Sequence, residues 1–205
     1  MPSPSQHQSG GDNLVTVLKR YRWIIGAFII VLTLTGGSEM LLGRSLFGPD
    51  NRFGWWEGDI WSSENSQRLA DPYSFSHIGH GLIFYAILWL VMRKLPVRRR
   101  LLLALILEAG WEILENSPLI INRYRAVTIS LGYVGDSVLN SMSDILMMTS
   151  GFVFAARMRP GLSVLLLVLM EAGCAFWVRD NLTLNVIMLI HPVEAIRHWQ
   201  SAGQP

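Results

Sequence analysis

The chain has 205 residues, a formal net charge of +2, 51% hydrophobic residues and only 16% charged ones. A soluble domain carries about 25% charged residues, and five apolar stretches here reach the roughly 17–25 residues that a bilayer-crossing helix needs. Removing them leaves too little chain for a second domain of ordinary size, so the composition excludes a soluble enzyme and points to one all-α polytopic transmembrane bundle.

Residues 1–13 are rich in Ser, Gln, Gly and Pro, the composition of a disordered tail. Lys19, Arg20 and Arg22 then precede the first span, residues 23–42. That run is too long for a signal peptide and no small-x-small cleavage site follows it. Residues 43–73 form a polar loop with Trp55, Trp56 and Trp61, residues that favour the membrane–water interface. Asp50, Glu57, Asp59, Glu64 and Asp71 outnumber its basic residues, and part of it is expected to lie on the bilayer as a short helix. Asp71-Pro72 marks a turn, with Ser74 or Ser76 to cap the second span, residues 74–92. Arg93, Lys94, Arg98, Arg99 and Arg100 follow, with Pro96 breaking the helix among them.

The third span covers residues 101–120 and leads to a loop, 122–135, that carries Arg123 and Arg125. The fourth covers 136–156, before Arg157, Arg159 and Pro160, and the fifth covers 161–178, ending at Arg179. Cys174, the single cysteine, has no partner for an intramolecular disulfide and reads as a small packing residue. Residues 182–190 are apolar but too short to cross unaided, so they read as interfacial or re-entrant, with a sixth span as the alternative. The organisation expected is a cytoplasmic tail (1–22), a transmembrane domain (23–180) and an interfacial C-terminal segment (181–205). Basic residues cluster before span one, after span two and after span four, and the first outer loop is acidic, which puts the N-terminus in the cytoplasm. The basic loop is a topology signal, not a nucleic-acid site.

Seven of the fifteen acidic residues fall inside these spans: Glu39, Glu108, Glu112, Glu115, Asp136, Asp144 and Glu171. His77 and His80 fall there too. A central charge costs roughly 2.5–3.5 kcal/mol to insert, so such residues face a bundle interior or a wet cavity. Glu108, Glu112 and Glu115 lie within about 60° of one another on a helix, and Asp136, Asn140 and Asp144, with Ser143, share another face. Counting about 1.5 Å per residue from the outer end puts His77 at about 5 Å, His80 at about 9 Å, Glu115 at about 7 Å and Glu112 at about 12 Å. Asn140 at about 6 Å and Asp144 at about 12 Å fall in the same outer layer. Glu39, near its span end, is expected to reach water; Glu171 is isolated and as readily structural as functional; Asn140 and Ser143 also suit interhelical glue.

Histidine with carboxylate is a ligand set for Zn, Fe or Mn, and His77-x-x-His80 on one face supplies two nitrogens. The carboxylates also suit acid–base work or proton transfer. Candidate catalytic groups are therefore Glu112, Asp136, Glu108, Glu115 and Asp144. Candidate metal ligands are His77 and His80, with Glu112 and Asp136 nearby. Arg123 and Arg125 would recruit anionic groups, and Asn140 would bind substrate.

The segments Ser76-His77-Ile-Gly-His80, Glu108-Ala-Gly-Trp111-Glu112-Ile-Leu-Glu115-Asn116, Asn122-Arg123-Tyr124-Arg125 and Gly135-Asp136-Ser-Val-Leu-Asn140 together resemble an uncharacterised family of bacterial multi-pass inner-membrane proteins. That resemblance implies an inner-membrane location and no activity. The order His80, Glu112, Arg123 or Arg125, Asp136, Asn140 is also similar to VanZ-like membrane proteins. Here His77 stands where a lysine is usual, Glu115 where a glutamine is usual, and Ser143 in place of the expected glycine.

The function expected is binding or modification of a polar or lipid-headgroup substrate in an outward-facing chamber, with a divalent metal as the candidate cofactor. The lipid bilayer is the expected partner, and nucleic acid is not. A small proton-coupled carrier and a structural or assembly subunit are the alternatives.

Overall fold

A computed structural model describes residues 14–203. The expected disorder of residues 1–13 lies outside the described residues. The described chain is all helical, as an α1–α8 series: α1 Leu14–Leu41, α2 Ser74–Val91, α3 Val97–Glu115, α4 Pro118–Val127, α5 Val138–Arg157, α6 Pro160–Trp177, α7 Leu182–Ile190 and α8 Glu194–Ser201. Its only bridge between extended segments joins Trp56 and Ala70.

Four helices are long and apolar enough to cross a membrane by themselves: residues Arg22–Leu41 of α1, then α2, α5 and α6. The fifth expected crossing, α3, has the length, 19 residues. Its composition departs from that of a lone span because Arg98, Arg99, Arg100, Glu108, Glu112 and Glu115 all lie on it. Those carboxylates are turned inward, and α3 packs against α1, α2 and α5. The outer surface is that of a membrane bundle. Along α6 only Cys174 is buried, and Leu162, Val164, Leu165, Val168, Leu169 and Phe176 are exposed.

Prolines set three of the helix starts. Pro96 precedes α3, and Pro118 and Pro160 open α4 and α6, positions where the missing N–H costs nothing. Pro118 also corrects the expected third span. Its helix stops at Glu115, and the region expected as a loop from residue 122 holds most of α4 instead. The tightest pair is α2 with α5. A Cβ on Gly81 would stand 2.0 Å from the Met148 carbonyl oxygen, and one on Gly151 would stand 2.1 Å from that of Ile78. Only glycine permits this approach. Around it Leu88, Ala104, Leu105, Ile145, Met148 and Phe152 form the dry core.

The loop of residues 43–73 has no helix, contrary to expectation. Its backbone is committed elsewhere. The carbonyls of Ser45, Leu46 and Ser66 accept from the N–H groups of Val138, Leu139 and Ser137, at 3.0, 3.1 and 2.9 Å. The donors at the start of α5, which have no partner within the helix, are thus satisfied by the loop, which is fastened over that end of the bundle. Arg68 ties the loop internally through Asp50 and Glu64, each at 2.8 Å.

The start of α2 is also organised differently from expectation. Asp71 Oδ1 accepts from the Ser74 N–H and Ser74 Oγ accepts from the Asp71 N–H, both at 3.2 Å. This reciprocal pair does the work of a capping box. At the C-terminal end, α7 has the bounds expected from its apolar run, and α8 follows it.

Candidate functional site

At the end of the bundle where α2 and α5 begin and α3 finishes, the polar side chains turn toward one another. His77 leaves the first turn of α2. Its Nδ1 stands 2.7 Å from Glu108 Oε1 and 3.3 Å from Glu112 Oε1, and its Nε2 stands 3.8 Å from Asp144 Oδ2. One turn later His80 Nδ1 lies 3.1 Å from both oxygens of Glu108, and its ring stacks on Phe84 with centroids 5.6 Å apart. Glu108 as a carboxylate accepts from both rings, which puts each proton on Nδ1 and leaves both Nε2 atoms as acceptors or ligands.

Glu112 is wholly buried, and neither of its carboxylate oxygens has a hydrogen-bond partner. Asp144, also buried, accepts from Ser74 Oγ at 3.3 Å. Through Ser74 the site is joined to Asp71, whose burial pushes its carboxyl above the ordinary range against the pull of three backbone N–H groups.

Asp136 is held by a different device from the helical stripe expected of it. It precedes α5, whose cap is Ser137, and Gly135 before it has φ +91°. A Cβ on Gly135 would meet Asn116 Oδ1 at 2.8 Å. The turn brings the Asp136 N–H onto Asn116 Oδ1 at 2.7 Å, while Asn116 Nδ2 and the Tyr133 hydroxyl donate to its two carboxylate oxygens at 3.2 and 2.8 Å. Asn116 Nδ2 also reaches Ser141 Oγ at 3.2 Å. Glu115 faces the Tyr124 hydroxyl.

A cavity of about 390 Å³ opens onto these groups. Its lining combines His77, Asp144, Asp136 and Glu115 with Trp111 and the α7 residues Leu182, Val186 and Leu189. Three overlapping sets bring possible ligand atoms within 4.8 Å of one another: His77, His80 and Glu108; His77, Glu112 and Asp144; and Glu112, Glu115 and Asp136. The candidate residues from α2, α3 and α5 therefore converge. His77 approaches Glu112, whereas His80 engages Glu108.

The arginines do not meet these carboxylates. Arg123 donates to the Leu189 carbonyl at 3.0 and 2.8 Å and so pins the end of α7 against α4. Arg125 donates to the Tyr133 carbonyl, and Arg179 to that of Trp199. Asn140 lines the cavity, but its Nδ2 donates to the Arg68 carbonyl at 2.9 Å. Glu39 does not reach water: α1 continues past it to Leu41, and the carboxyl is wholly buried, with neither oxygen in a hydrogen bond. Glu171 is structural, its two oxygens accepting from the N–H groups of Leu182 and Thr183 at 3.1 and 3.0 Å while Asn181 caps Leu184. Cys174 is buried, as a packing residue should be.

Residues 40–202 match a family described as "Protein of unknown function (DUF2585)". The chain belongs to this family. It is 49% identical over 192 residues to a UPF0314 protein of Rhizobium etli, covering 94% of this chain and 98% of that one. A UPF0314 protein of Sphingopyxis alaskensis is 45% identical over 190 residues, covering 93% and 100%, and one of Paracoccus denitrificans is 49% identical over 176 residues, covering 86% and 91%. No solved structure matches.

Sequence reasoning gave no role in the site to Asn116, Tyr133, Asp71 or Asp180. Asn116 and Tyr133 carry no charge to attract notice, and they matter only because a turn folds back on the end of α3. Asp180 sits just beyond the fifth expected span. It accepts from the Tyr73 hydroxyl at 3.0 Å, Asn185 Nδ2 at 3.2 Å and Gln200 Nε2 at 2.8 Å. Burial raises its carboxyl to about 7, opposed by the Asn181 N–H and the Tyr73 hydroxyl. It ties α7 and α8 to the start of α2.

Proposed function

We propose that this protein is a bacterial inner-membrane protein that binds, and acts on, the polar headgroup of an amphiphile entering from the outer half of the bilayer. The observation that supports this is the mixed polar and apolar lining of the cavity. Its carboxylates and imidazoles suit a headgroup, and Trp111, Leu182, Val186 and Leu189 suit the first carbons of an acyl chain. His77, held by Glu108 through Nδ1, turns its Nε2 to the Asp144 side, where this nitrogen can serve as an acceptor or ligand toward the polar end of a guest. The order of His80, Glu112, Asp136 and Asn140, similar to that of VanZ-like proteins, belongs to this reading and not to the family assignment.

In this topology α3 makes the fifth crossing, the N-terminus and the Arg98–Arg100 end of α3 are cytoplasmic, and the site faces outward. Reporter fusions near Glu57 and Arg125 should then read as outside, and fusions at Arg98 and Arg159 as inside; a cytoplasmic signal near Glu57 reverses the orientation. The dry plug of Leu88, Leu105, Ile145, Met148 and Phe152 below the site weighs against a carrier, which needs a polar path across.

The test is extraction and mass spectrometry of lipid retained by the purified full chain. Wild type should hold a lipid in stoichiometric amount, and Val186→Trp, which fills the apolar part of the lining, should lose it while keeping the wild-type helical spectrum. Absence of retained lipid in wild type, or equal retention by Val186→Trp, would refute the reading.

A further inference from the structure

The charge balance of the site is incomplete. Glu112, Glu115, Asp136 and Asp144 converge from α3, the preceding turn and α5, and among the described residues no Lys or Arg pairs with any of them. Arg123 and Arg125, the expected recruiters of anionic groups, are spent on backbone carbonyls, as is Arg44 beside Gly135. Ser74, Asn116 and Tyr133 give Asp144 and Asp136 hydrogen bonds but no positive charge, and proteins ordinarily pair buried carboxylates or give them a cation.

Glu112 sharpens the point. It is 0% exposed, neither oxygen has a hydrogen-bond partner, and it is common to two of the ligand sets. One set adds His77 and Asp144, and the other adds Glu115 and Asp136. A carboxylate common to two neighbouring ligand sets has two oxygens to divide between them and suits a bridging ligand. Ions in two-metal sites stand about 3.5–4 Å apart, a separation that a single carboxylate spans.

The surroundings fit ligation. The His77 Nε2 to Asp144 Oδ2 separation of 3.8 Å falls between the about 3.0 Å of adjacent and the about 4.2 Å of opposite ligands that stand about 2.1 Å from an octahedral ion. The other ring nitrogen of His77 is fixed by Glu108 at 2.7 Å, and Glu108 in turn is held by His80 at 3.1 Å. A metal-bound histidine with its second nitrogen on a carboxylate is the usual outer-shell arrangement. His80 is then a positioning residue and not a ligand.

We infer that the site holds two divalent cations bridged by Glu112, one completed by His77 and Asp144 and the other by Glu115 and Asp136. One nitrogen among carboxylate oxygens favours Mn²⁺ or Mg²⁺ over thiophilic metals. The cations also supply what the arginines do not, positive charge toward an anionic headgroup; only this last point rests on the headgroup reading.

The experiment uses the full chain in mild detergent, stripped with chelator and titrated with Mn²⁺. Bound metal is counted by equilibrium dialysis and inspected by electron paramagnetic resonance. Wild type should bind two equivalents with the spectrum of an exchange-coupled pair. Asp144→Asn and Asp136→Asn should each retain one uncoupled ion. Glu112→Gln should abolish the coupling and weaken binding at least tenfold, whereas Glu171→Gln should still bind two. No Mn²⁺ on folded wild type, a single uncoupled ion, or unchanged coupling in Glu112→Gln would overturn the inference. Wild-type stoichiometry decides the matter even if a variant fails to fold. Retained lipid without metal would sink the metal site alone, and two coupled ions without retained lipid would sink the headgroup reading alone.

Discussion

Along α2 and α5 the opening turns and the later turns meet each other through opposite chemistry. In the later turns, Gly81 and Gly151 let the two backbones touch, and Leu88, Met148 and Phe152 fill the remaining space without a polar atom. In the opening turns, the same helices present His77 and Asp144 to the carboxylates of α3, with a cavity left between them and α7. The dry half fixes the axial and rotational position of the helices, because close-packed backbone surfaces accept few alternatives. The wet half inherits that position. Its carboxylates are aligned by packing that they do not themselves provide, and their burial works against stability.

The comparison can be broken most severely at the glycines. Gly81→Ala or Gly151→Ala should force α2 from α5 and cost about 3 kcal/mol, read as a lowered melting temperature in detergent; unchanged stability would mean that the backbone contact does not set the register. The opposite sign is expected from the wet half. In chelator-treated protein Glu112→Met should raise stability by about 1–2 kcal/mol, because an apolar side chain replaces a buried carboxyl without partners. Loss of folded protein in that variant would mark Glu112 as helix glue and the site as structural.

The rim of the cavity gives finer tests. The Asp180 carboxyl, raised to about 7 from 3.8, keeps its proton in the folded chain across a range where the unfolded chain has lost it. Stability contributed there is full below about pH 4, falls as pH rises toward 7 and levels off above. Proteolysis of the α7–α8 segment should quicken over that window in wild type and lose the dependence in Asp180→Asn; a flat profile in wild type would remove Asp180 as the anchor. The smallest effect belongs to Arg123→Ala, which frees the Leu189 carbonyl and should cost about 1 kcal/mol. Faster amide exchange should be confined to α7, and exchange spread through α3 and α5 would show that α7 is not a separate wall.

Much of the site was visible as a depth-matched layer of residues that lipid does not tolerate, and helical periodicity alone put Glu108, Glu112 and Glu115 on one face. The sequence by itself also determined the membrane class, the apolar extents of α1, α2, α5 and α6, and the short α7, since each follows from local hydropathy and length. It did not determine which carboxylates are partnered. Glu171 and Glu39 looked alike as acids in apolar runs; one caps α7 and the other is sealed without a partner, a difference made by which element lies opposite. Arg123 and Arg125 looked like anion recruiters until nearby carbonyls claimed them. The position of Asp136 depends on Gly135 and on Asn116, twenty residues earlier. Such pairings connect residues far apart in the chain, and only the tertiary structure decides them, because hydrogen-bond satisfaction is a property of neighbours in space.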